Sequence, residues 1–368
     1  MPNTDTELDI ELEIESFQNN FPGCPYNIVE KIGQGTFSSV YKAIDTLHHQ
    51  YESDWCQDHH LTLDNEESNS NCGFVALKRI YATSSPQRIL NELSLLNCLK
   101  NHPNVAPLIT AIRYEDQVIA VLPYFEHNTF KSYFRSLSLR QIKNYLHCML
   151  SGLKHVHDNG FIHRDIKPSN FLYRPDRMTG VLVDFGLAQR ESDLSVSIEP
   201  KYKQAKLNNL QPYKKKGAYI PNDTRPSVKA NRAGTRGFRA PEVLFKVYNQ
   251  TRAIDLWSVG VIFLSILTGQ FPFFQSMDDQ EALIEISHIF GKQKMRQLAA
   301  KLNRTFETNI PAIATPLTFE YIIKQMKPEM LPLVGVEGIS LLEGLMELDP
   351  NERLTADKAL QHSFFHEI

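Results

Sequence analysis

A glycine-rich turn near the start of the chain is the first feature that could do chemistry. Gly33 and Gly35 lie in GQGTFS, between two segments with the composition of strands, YNIVEKIG and FSSVYKAI. Glycine lets a backbone close over phosphate groups, whose negative charge main-chain N–H groups then meet. Because two glycines between strands also occur in ordinary hairpins, the turn by itself leaves both interpretations open.

A lysine and a glutamate further along could bind phosphate as a pair. In Val75-Ala76-Leu77-Lys78, the alternation of a strand puts Ala76 and Lys78 on one face. A lysine between apolar neighbours needs an acidic partner. Glu92 lies on the apolar stripe of the next predicted helix, so its carboxylate points toward the core. A single such acid is often an edge residue, but with Lys78 available it predicts an anchor for nucleotide phosphates.

The hydrophobic pattern predicts strands in the first part of the chain and helices afterwards. Strands are predicted at 26–33, 37–44, 74–81, 108–113 and 117–122. Helices are predicted from Pro86, with Ser85 as the N-cap, from 138 to Asn159-Gly160, at 254–268 and at 337–348. This order implies a small sheet-rich lobe followed by a larger helical lobe.

Three short segments complete an ordered set of motifs. HRDIKPSN at 163–170 follows the long helix, DFG at 184–186 begins fourteen residues after Asn170, and APE follows at 240–242. Together with the glycine-rich turn and the lysine–glutamate pair, they make the chain resemble eukaryotic protein kinases from about Tyr26 to its last residues. The resemblance implies an α+β, bilobal protein kinase fold with a small β-rich N-lobe and a larger α-helical C-lobe.

The resemblance also divides the chain. It places the N-lobe at 26–122 and the hinge and C-lobe at 123–368. Residues 46–73, with six acids and neither lysine nor arginine, form a predicted surface insertion in the N-lobe. A second insertion is expected at about 191–230, in the activation segment. Residues 1–25 form an acidic leader, which is either flexible or, because its acids alternate with aliphatic residues, a strand or docking motif.

Three residues are implied by the resemblance to carry out the catalytic step. Asp165 would accept the proton of the substrate hydroxyl and orient it toward the γ-phosphate of ATP. Lys167 would neutralise charge on the transferring group, and its place two residues after Asp165 is similar to serine/threonine kinases. Thr235, in AGTRGFRAPE, resembles the loop threonine that bridges Asp165 and Lys167 in that class.

The resemblance further implies sites for ATP and Mg²⁺. Asn170 and Asp184 would supply oxygen ligands to Mg²⁺, and Lys78, held by Glu92, would position the α and β phosphates. The other ATP contacts that it implies are Ile32, Gly33, Gly35, Val40, Ala76, Phe125 and Leu172. Ser38 stands where a third glycine is usual, but serine keeps the N–H group and restricts only φ, so phosphate binding should survive.

Several structural residues are implied in the same way. The hinge is expected at 123–125, after Leu122 as gatekeeper. Glu242 and Arg353 resemble the buried ion pair of the large lobe. Asp255, in DLWSVG, resembles the helix residue that braces the catalytic loop.

Longer stretches narrow the resemblance to one family. The segments IGQGTFSSVYKA, TSSPQRILNELSLL, DQVIAVLPYF, FIHRDIKPSNFLY, VLVDFGLAQ, NRAGTRGFRAPEVL and IDLWSVGVIFLSIL are similar to the DDK family of Dbf-dependent cell-division-cycle kinases, of fungal type. That family fires replication origins when bound to a Dbf-type regulatory subunit, with MCM helicase subunits as main substrates. The resemblance therefore implies a nuclear, ATP- and Mg²⁺-dependent serine/threonine kinase activated by such a subunit. A meiosis-specialised relative of the same family is the alternative.

Basic residues dominate the predicted activation segment. Between residues 200 and 239, eleven lysines and arginines stand against one acid. Arg232, Arg236 and Arg239 bracket the predicted substrate loop, where guanidinium groups would favour a serine followed by Asp, Glu or phosphoserine, a preference known for the DDK family. Lys214–Lys216 form either a solvated loop or a nuclear-import signal.

Composition argues against several other classes of protein. A net charge of −3 gives no sign of direct nucleic-acid binding, and the longest apolar run, at 259–267, is too short for a membrane span. Five irregularly spaced cysteines do not suggest a secreted disulfide scaffold.

A pseudokinase scaffold is disfavoured because the motif residues are intact, and an autonomous casein-kinase-like enzyme is a further alternative. Segment 291–335 is either a docking surface for the partner subunit or ordinary helix packing.

Overall fold

The computed structural model describes residues 14, 17, 25–35, 38–47, 73–81, 83–114, 116–192, 234–311 and 315–366. Most of the two predicted insertions lies outside these residues. The chain divides into two compact units. The first contains the residues up to His127 together with Leu172–Gly186, and the second contains Asn128–Phe171 and the residues from Leu187 onward.

A five-stranded antiparallel sheet forms the centre of the first unit, in the order β1-β2-β3-β5-β4. Its strands are β1 (Tyr26–Gln34), β2 (Ser38–Asp45), β3 (Phe74–Ile80), β4 (Thr110–Tyr114) and β5 (Gln117–Pro123). All five predicted strands are therefore confirmed, to within a few residues at their ends. A short hairpin of β7 (Phe171–Arg174) and β8 (Thr179–Leu182) follows later in the chain.

A hydrophobic core covers one face of this sheet. One face contributes to a hydrophobic core that contains Tyr26, Tyr41, Ala43, Val75, Leu77, Ile119 and Val121. Phe17 from the leader is part of the same core and is 2% exposed, and Ile14 packs against it. Both leader residues are helical, and the other residues of 1–24 lie outside the described residues.

Helix α1 (Pro86–Leu99) begins where its sequence predicts. The Ser85 side chain accepts a hydrogen bond from the Arg88 amide, and proline occupies the first helical position, where it loses no backbone hydrogen bond. The apolar side of α1 buries Leu95, Leu96 and Leu99. Glu92 is buried with them, as its place on the helix predicts.

The second unit is mainly helical. Its elements are α2 (Phe130–Tyr133), α3 (Leu139–Asp158), β6 (Phe161–Ile162), β9 (Gln189–Arg190), α4 (Pro241–Leu244), α5 (Ala253–Thr268), α6 (Asp279–Phe290), α7 (Lys292–Lys301), α8 (Phe319–Met326), α9 (Met330–Leu345) and α10 (Ala356–Leu360). A capping box of Ser138 and Gln141 starts α3, and every residue of α5 is buried. Among the described residues, none of the helices has the length and hydropathy of a membrane span.

Helix α9 starts earlier than the predicted 337–348. Gly335 interrupts it with φ 63° and ψ −170°, a conformation that glycine adopts without steric cost. The regular part of the helix therefore begins after Gly335, which is close to the predicted start. Glu242 and Arg353 form the predicted buried ion pair of this unit, with Oε1 and Nη1 2.7 Å apart.

Candidate active site

Lys78 is the centre of a charged cluster in the first unit. Its Nζ lies 2.5 Å from Glu92 Oε1 and 2.7 Å from Asp184 Oδ1. Burial alone would lower the pKa of Lys78, but the carboxylates of Asp184 and Glu92 outweigh burial and raise the pKa above its ordinary value. The ammonium group is therefore charged throughout the neutral range, as binding an anionic ligand requires.

Arg88 adds a contact that the sequence analysis missed. Its Nε donates a hydrogen bond of 3.0 Å to the carbonyl oxygen of Gly186. A Cβ on Gly186 would lie 3.2 Å from both Asp184 Oδ1 and Glu92 Oε2, so the segment passes close to α1 at this point. Arg88 stands one helical turn before Glu92 and so lies on the same side of α1, but no sequence signal identifies its backbone partner.

Replacing Arg88 with alanine should loosen the segment that carries Asp184. Losing this hydrogen bond should lower kcat/KM for ATP by roughly tenfold, because it frees the backbone two residues from a carboxylate in contact with Lys78. Steady-state kinetics at varied ATP concentration would measure the change. Gln87→Ala is the matched control, since Gln87 is exposed on the same helical turn and bonds only to Asn91 among the contacts described. Equal effects of the two substitutions would contradict this role for Arg88.

The glycine-rich turn joins β1 to β2, and Thr36 and Phe37 lie outside the described residues. A Cβ on Gly33 would be 3.7 Å from that of Val40, and a Cβ on Gly35 would be 3.7 Å from the Ser38 carbonyl. Both distances are ordinary contacts, and neither glycine has a left-handed φ. Nothing in the described backbone therefore requires glycine at these two positions.

Val40 and Ala76, two of the predicted ATP contacts, lie on the face of the sheet that carries Lys78. Val40 pairs with Lys78 and Ala76 pairs with Leu122, and directly opposed residues share a face. Leu172 packs against a small cluster that includes Phe125, which is 4% exposed. Ile32 is 39% exposed at the end of β1.

In the second unit, Asp165 accepts hydrogen bonds through both carboxylate oxygens. Thr235 donates to Oδ1 from its amide at 2.8 Å and from its hydroxyl at 2.7 Å. Lys167 Nζ lies 2.8 Å from Oδ2, and Asn170 Nδ2 donates to the same oxygen at 3.1 Å. Lys167 also donates to the Thr235 hydroxyl at 3.0 Å, so the predicted bridge between Asp165 and Lys167 is present.

Asp255 on α5 holds the loop that carries Asp165. Its Oδ2 accepts from the His163 amide at 2.9 Å, and its Oδ1 accepts from the Arg164 amide at 2.8 Å. Burial would raise the pKa of Asp255, but the hydrogen bond and charge of His157, together with His163, bring the pKa below its ordinary value. Arg164 adopts a left-handed φ of 69°, a strained conformation that these hydrogen bonds stabilise.

The three arginines predicted to bind the acidic residue of a substrate differ in their surroundings. Arg232 lies outside the described residues. Arg239 donates to the Gly234 carbonyl and forms an ion pair with Asp279 at 3.1 Å, so its guanidinium supports the loop. Arg236 is exposed and donates to the Met277 carbonyl at 2.6 Å. Among the described residues of this trio, Arg236 is thus the one at the surface.

Comparison with known proteins agrees with this geometry. The protein kinase domain family matches residues 65–365. The cell cycle serine/threonine-protein kinase hsk1 of Schizosaccharomyces pombe is 42% identical over 96% of this chain and 75% of its own length. The probable cell division control protein 7 homolog 2 of Encephalitozoon cuniculi is 42% identical over 93% of this chain and 92% of its own.

A third relative covers almost the whole chain. The cell cycle protein kinase spo4 of Schizosaccharomyces pombe is 38% identical over 99% of this chain and 91% of its own length. Identity at this level over nearly complete chains extends well beyond the short motifs. The chain belongs to the protein kinase family and, within it, to the cell division control protein 7 and hsk1 group of cell-cycle serine/threonine kinases.

Proposed function

We propose that this kinase is the catalytic subunit of a replication-initiation kinase that works in the nucleus with a Dbf-type activating subunit. Its proposed substrates are MCM helicase subunits, at serine or threonine followed by an acidic or phosphorylated residue. The observation that carries the catalytic part is the Asp165 carboxylate, which four donors hold in one orientation. A carboxylate fixed in this way can orient a substrate hydroxyl and accept its proton.

The other catalytic roles follow from the same contacts. Lys167 is held by Asp165 and Thr235, where its charge would stabilise the phosphoryl group during transfer. Lys78, fixed between two carboxylates, would bind the α and β phosphates of ATP. The described backbone does not require glycine in the β1–β2 turn. The two glycines are therefore consistent with a role in binding, where they would let phosphate approach main-chain N–H groups closely.

A protein kinase domain uses ATP and a divalent metal ion, and we propose Mg²⁺ with Asn170 and Asp184 as its ligands. The Asn170 side chain donates from Nδ2 to the carbonyl oxygen and to Oδ2 of Asp165, and its Oδ1 can serve as an oxygen ligand. The Asp184 side chain is 44% exposed. Within the described parts of the chain, no group of three or more His, Cys, Asp or Glu could hold a metal alone. This donor set suits Mg²⁺, which commonly combines one or two protein oxygens with substrate phosphates and neutralises their charge.

For the regulatory subunit we propose docking on segment 291–335. In α8, Phe319, Ile322 and Ile323 are buried, as in ordinary helix packing. Tyr321 and Met326 of the same helix are 52% and 45% exposed. An outward apolar surface of this kind supports an interaction with a protein partner.

Phosphate transfer to a matched peptide pair tests the proposed function. An MCM-tail peptide with Ser-Asp would be compared with its Ser-Lys twin, using the chain alone and the chain co-expressed with a Dbf-type subunit. Transfer only to Ser-Asp and only with the subunit is expected. Equal transfer without the subunit would instead support an autonomous acidic-directed kinase. Depleting the kinase in cells tests the meiotic alternative, because the loss of a meiosis-specialised enzyme would leave vegetative growth intact.

Arg236 should contribute to the preference for an acidic residue after the serine. Replacing it with glutamate reverses the charge at the surface of the substrate loop. The ratio of kcat/KM for Ser-Asp over Ser-Lys peptides should fall by about tenfold or more, since a close ion pair of this kind contributes about 1–3 kcal/mol. Arg140→Glu is the control, because it makes the same charge change at an exposed position of α3. An unchanged ratio for Arg236→Glu would place acidic recognition elsewhere.

A further inference from the structure

The leader residue Phe17 covers the face of the sheet that does not carry Lys78. It is 2% exposed and lies in one hydrophobic core with Tyr41, Val75 and Leu77. Its ring stacks on that of Tyr41, with centroids 5.0 Å apart and planes inclined by 29°. The guanidinium of Arg79 lies over the same ring at 5.1 Å. Phe17 therefore contacts both β2 and β3 from one side.

Strand β3 connects this contact to the charged cluster. Successive side chains of a strand point to opposite faces, so Val75, Leu77 and Arg79 point toward Phe17. Lys78, between two of them, points to the face where it meets Glu92 and Asp184. A change in packing behind β3 shifts the backbone from which Lys78 extends, because close-packed interiors transmit small displacements.

The chemistry of the leader suits this position. Phe17 adds apolar area to a largely apolar face, and Ile14, one helical turn earlier, packs against the same core. The cation–π contact of Arg79 with the Phe17 ring adds to the apolar packing, and both favour docking of Phe17 on this face.

We infer that Phe17 is a positioning residue for nucleotide binding. The leader docks on the sheet and supports β3 so that Lys78 is held in place for ATP phosphates. The match to the protein kinase domain family begins only at residue 65, so this residue lies outside the matched region. The inference needs Lys78 to serve nucleotide binding, but it depends on neither the proposed substrates nor the proposed subunit.

Phe17→Ala in the full chain tests this role with two measurements. The dissociation constant of a fluorescent ATP analogue should rise by about fivefold or more, because a displaced Lys78 loses its alignment with the phosphates. Amide hydrogen exchange should accelerate in β3, while α3, which belongs to the second unit, should stay protected. Phe17→Leu keeps most of the apolar volume and should remain within about twofold of the wild type in affinity.

A second buried phenylalanine is the control that distinguishes an effect on nucleotide binding from a general loss of stability. Phe306, in the second unit, is 8% exposed and packs edge-to-face on Phe245 at 6.3 Å. Phe306→Ala should lower the unfolding temperature by roughly 5 °C, as Phe17→Ala should, but leave nucleotide affinity unchanged. Unchanged affinity in Phe17→Ala, with or without a lower unfolding temperature, would overturn the inference. The exchange measurement needs no phosphoryl transfer, so it remains decisive if the proposed substrates prove wrong.

Discussion

Asp165→Asn is expected to lower phosphoryl transfer by about 10³-fold, the scale of loss when a general base is removed. Asparagine has nearly the same shape as aspartate, but its amide cannot accept the substrate proton. Each oxygen of Asp165 accepts from two donors, so an NH₂ group at either position would face two donors and lose the present orientation. Transfer of labelled phosphate from ATP to an acidic peptide would measure the rate.

Nucleotide binding is the control for this substitution. Lys78, which is proposed to bind the α and β phosphates, is held by Glu92 and Asp184, and the substitution removes neither carboxylate. The affinity for an ATP analogue should therefore stay within about twofold of the wild type. The unfolding temperature of the variant would verify that the loop around Thr235 and Asn170 is still folded. Turnover within tenfold of the wild type in a folded variant would remove Asp165 from its proposed role.

The elements that the sequence predicts correctly have strong local signals. The start of α1 depends on Ser85 and Pro86, whose effects act within one helical turn. The contact between Lys78 and Glu92 is predictable because each residue lies on an apolar face where an unpaired charge would be unfavourable. The resemblance to protein kinases likewise implies the bridge that Thr235 makes between Asp165 and Lys167.

Contacts that depend on tertiary packing cannot be predicted from local sequence signals. Arg239 has the residue type of a substrate-binding group, but its pairing with Asp279 is set by how α6 approaches the loop. Phe17 lies in an acidic, alternating segment, whose pattern contains no information about the sheet face that it covers. Arg88 bonds to a backbone carbonyl, and a sequence identifies no particular backbone carbonyl as a partner. These are the three positions where the structure adds most to the site.

Arg353→Met is expected to destabilise the second unit by about 3–5 kcal/mol, the usual consequence of leaving one partner of a buried ion pair uncompensated. Nη1 and Nη2 of Arg353 contact the two Glu242 oxygens at 2.7 and 3.0 Å. The remaining N–H groups donate to the carbonyl oxygens of Glu347, Ala253 and Leu348. All five donors of the guanidinium are thus used, and both side chains are almost completely buried. The unfolding temperature should fall by roughly 10 °C in a calorimetric scan.

Three further variants test whether burial and geometry are the cause of this loss of stability. Arg296 and Glu307 form an ion pair at the surface, so Arg296→Met should change stability by less than about 1 kcal/mol. Arg353→Lys keeps the charge but cannot reproduce five planar donors, and it should give an intermediate loss. Removing Glu242 as well, in Glu242→Leu with Arg353→Met, should recover part of the stability, because no buried charge is then left unpaired. If Arg353→Met were no more harmful than Arg296→Met, the buried pair would not be what holds this part of the second unit together.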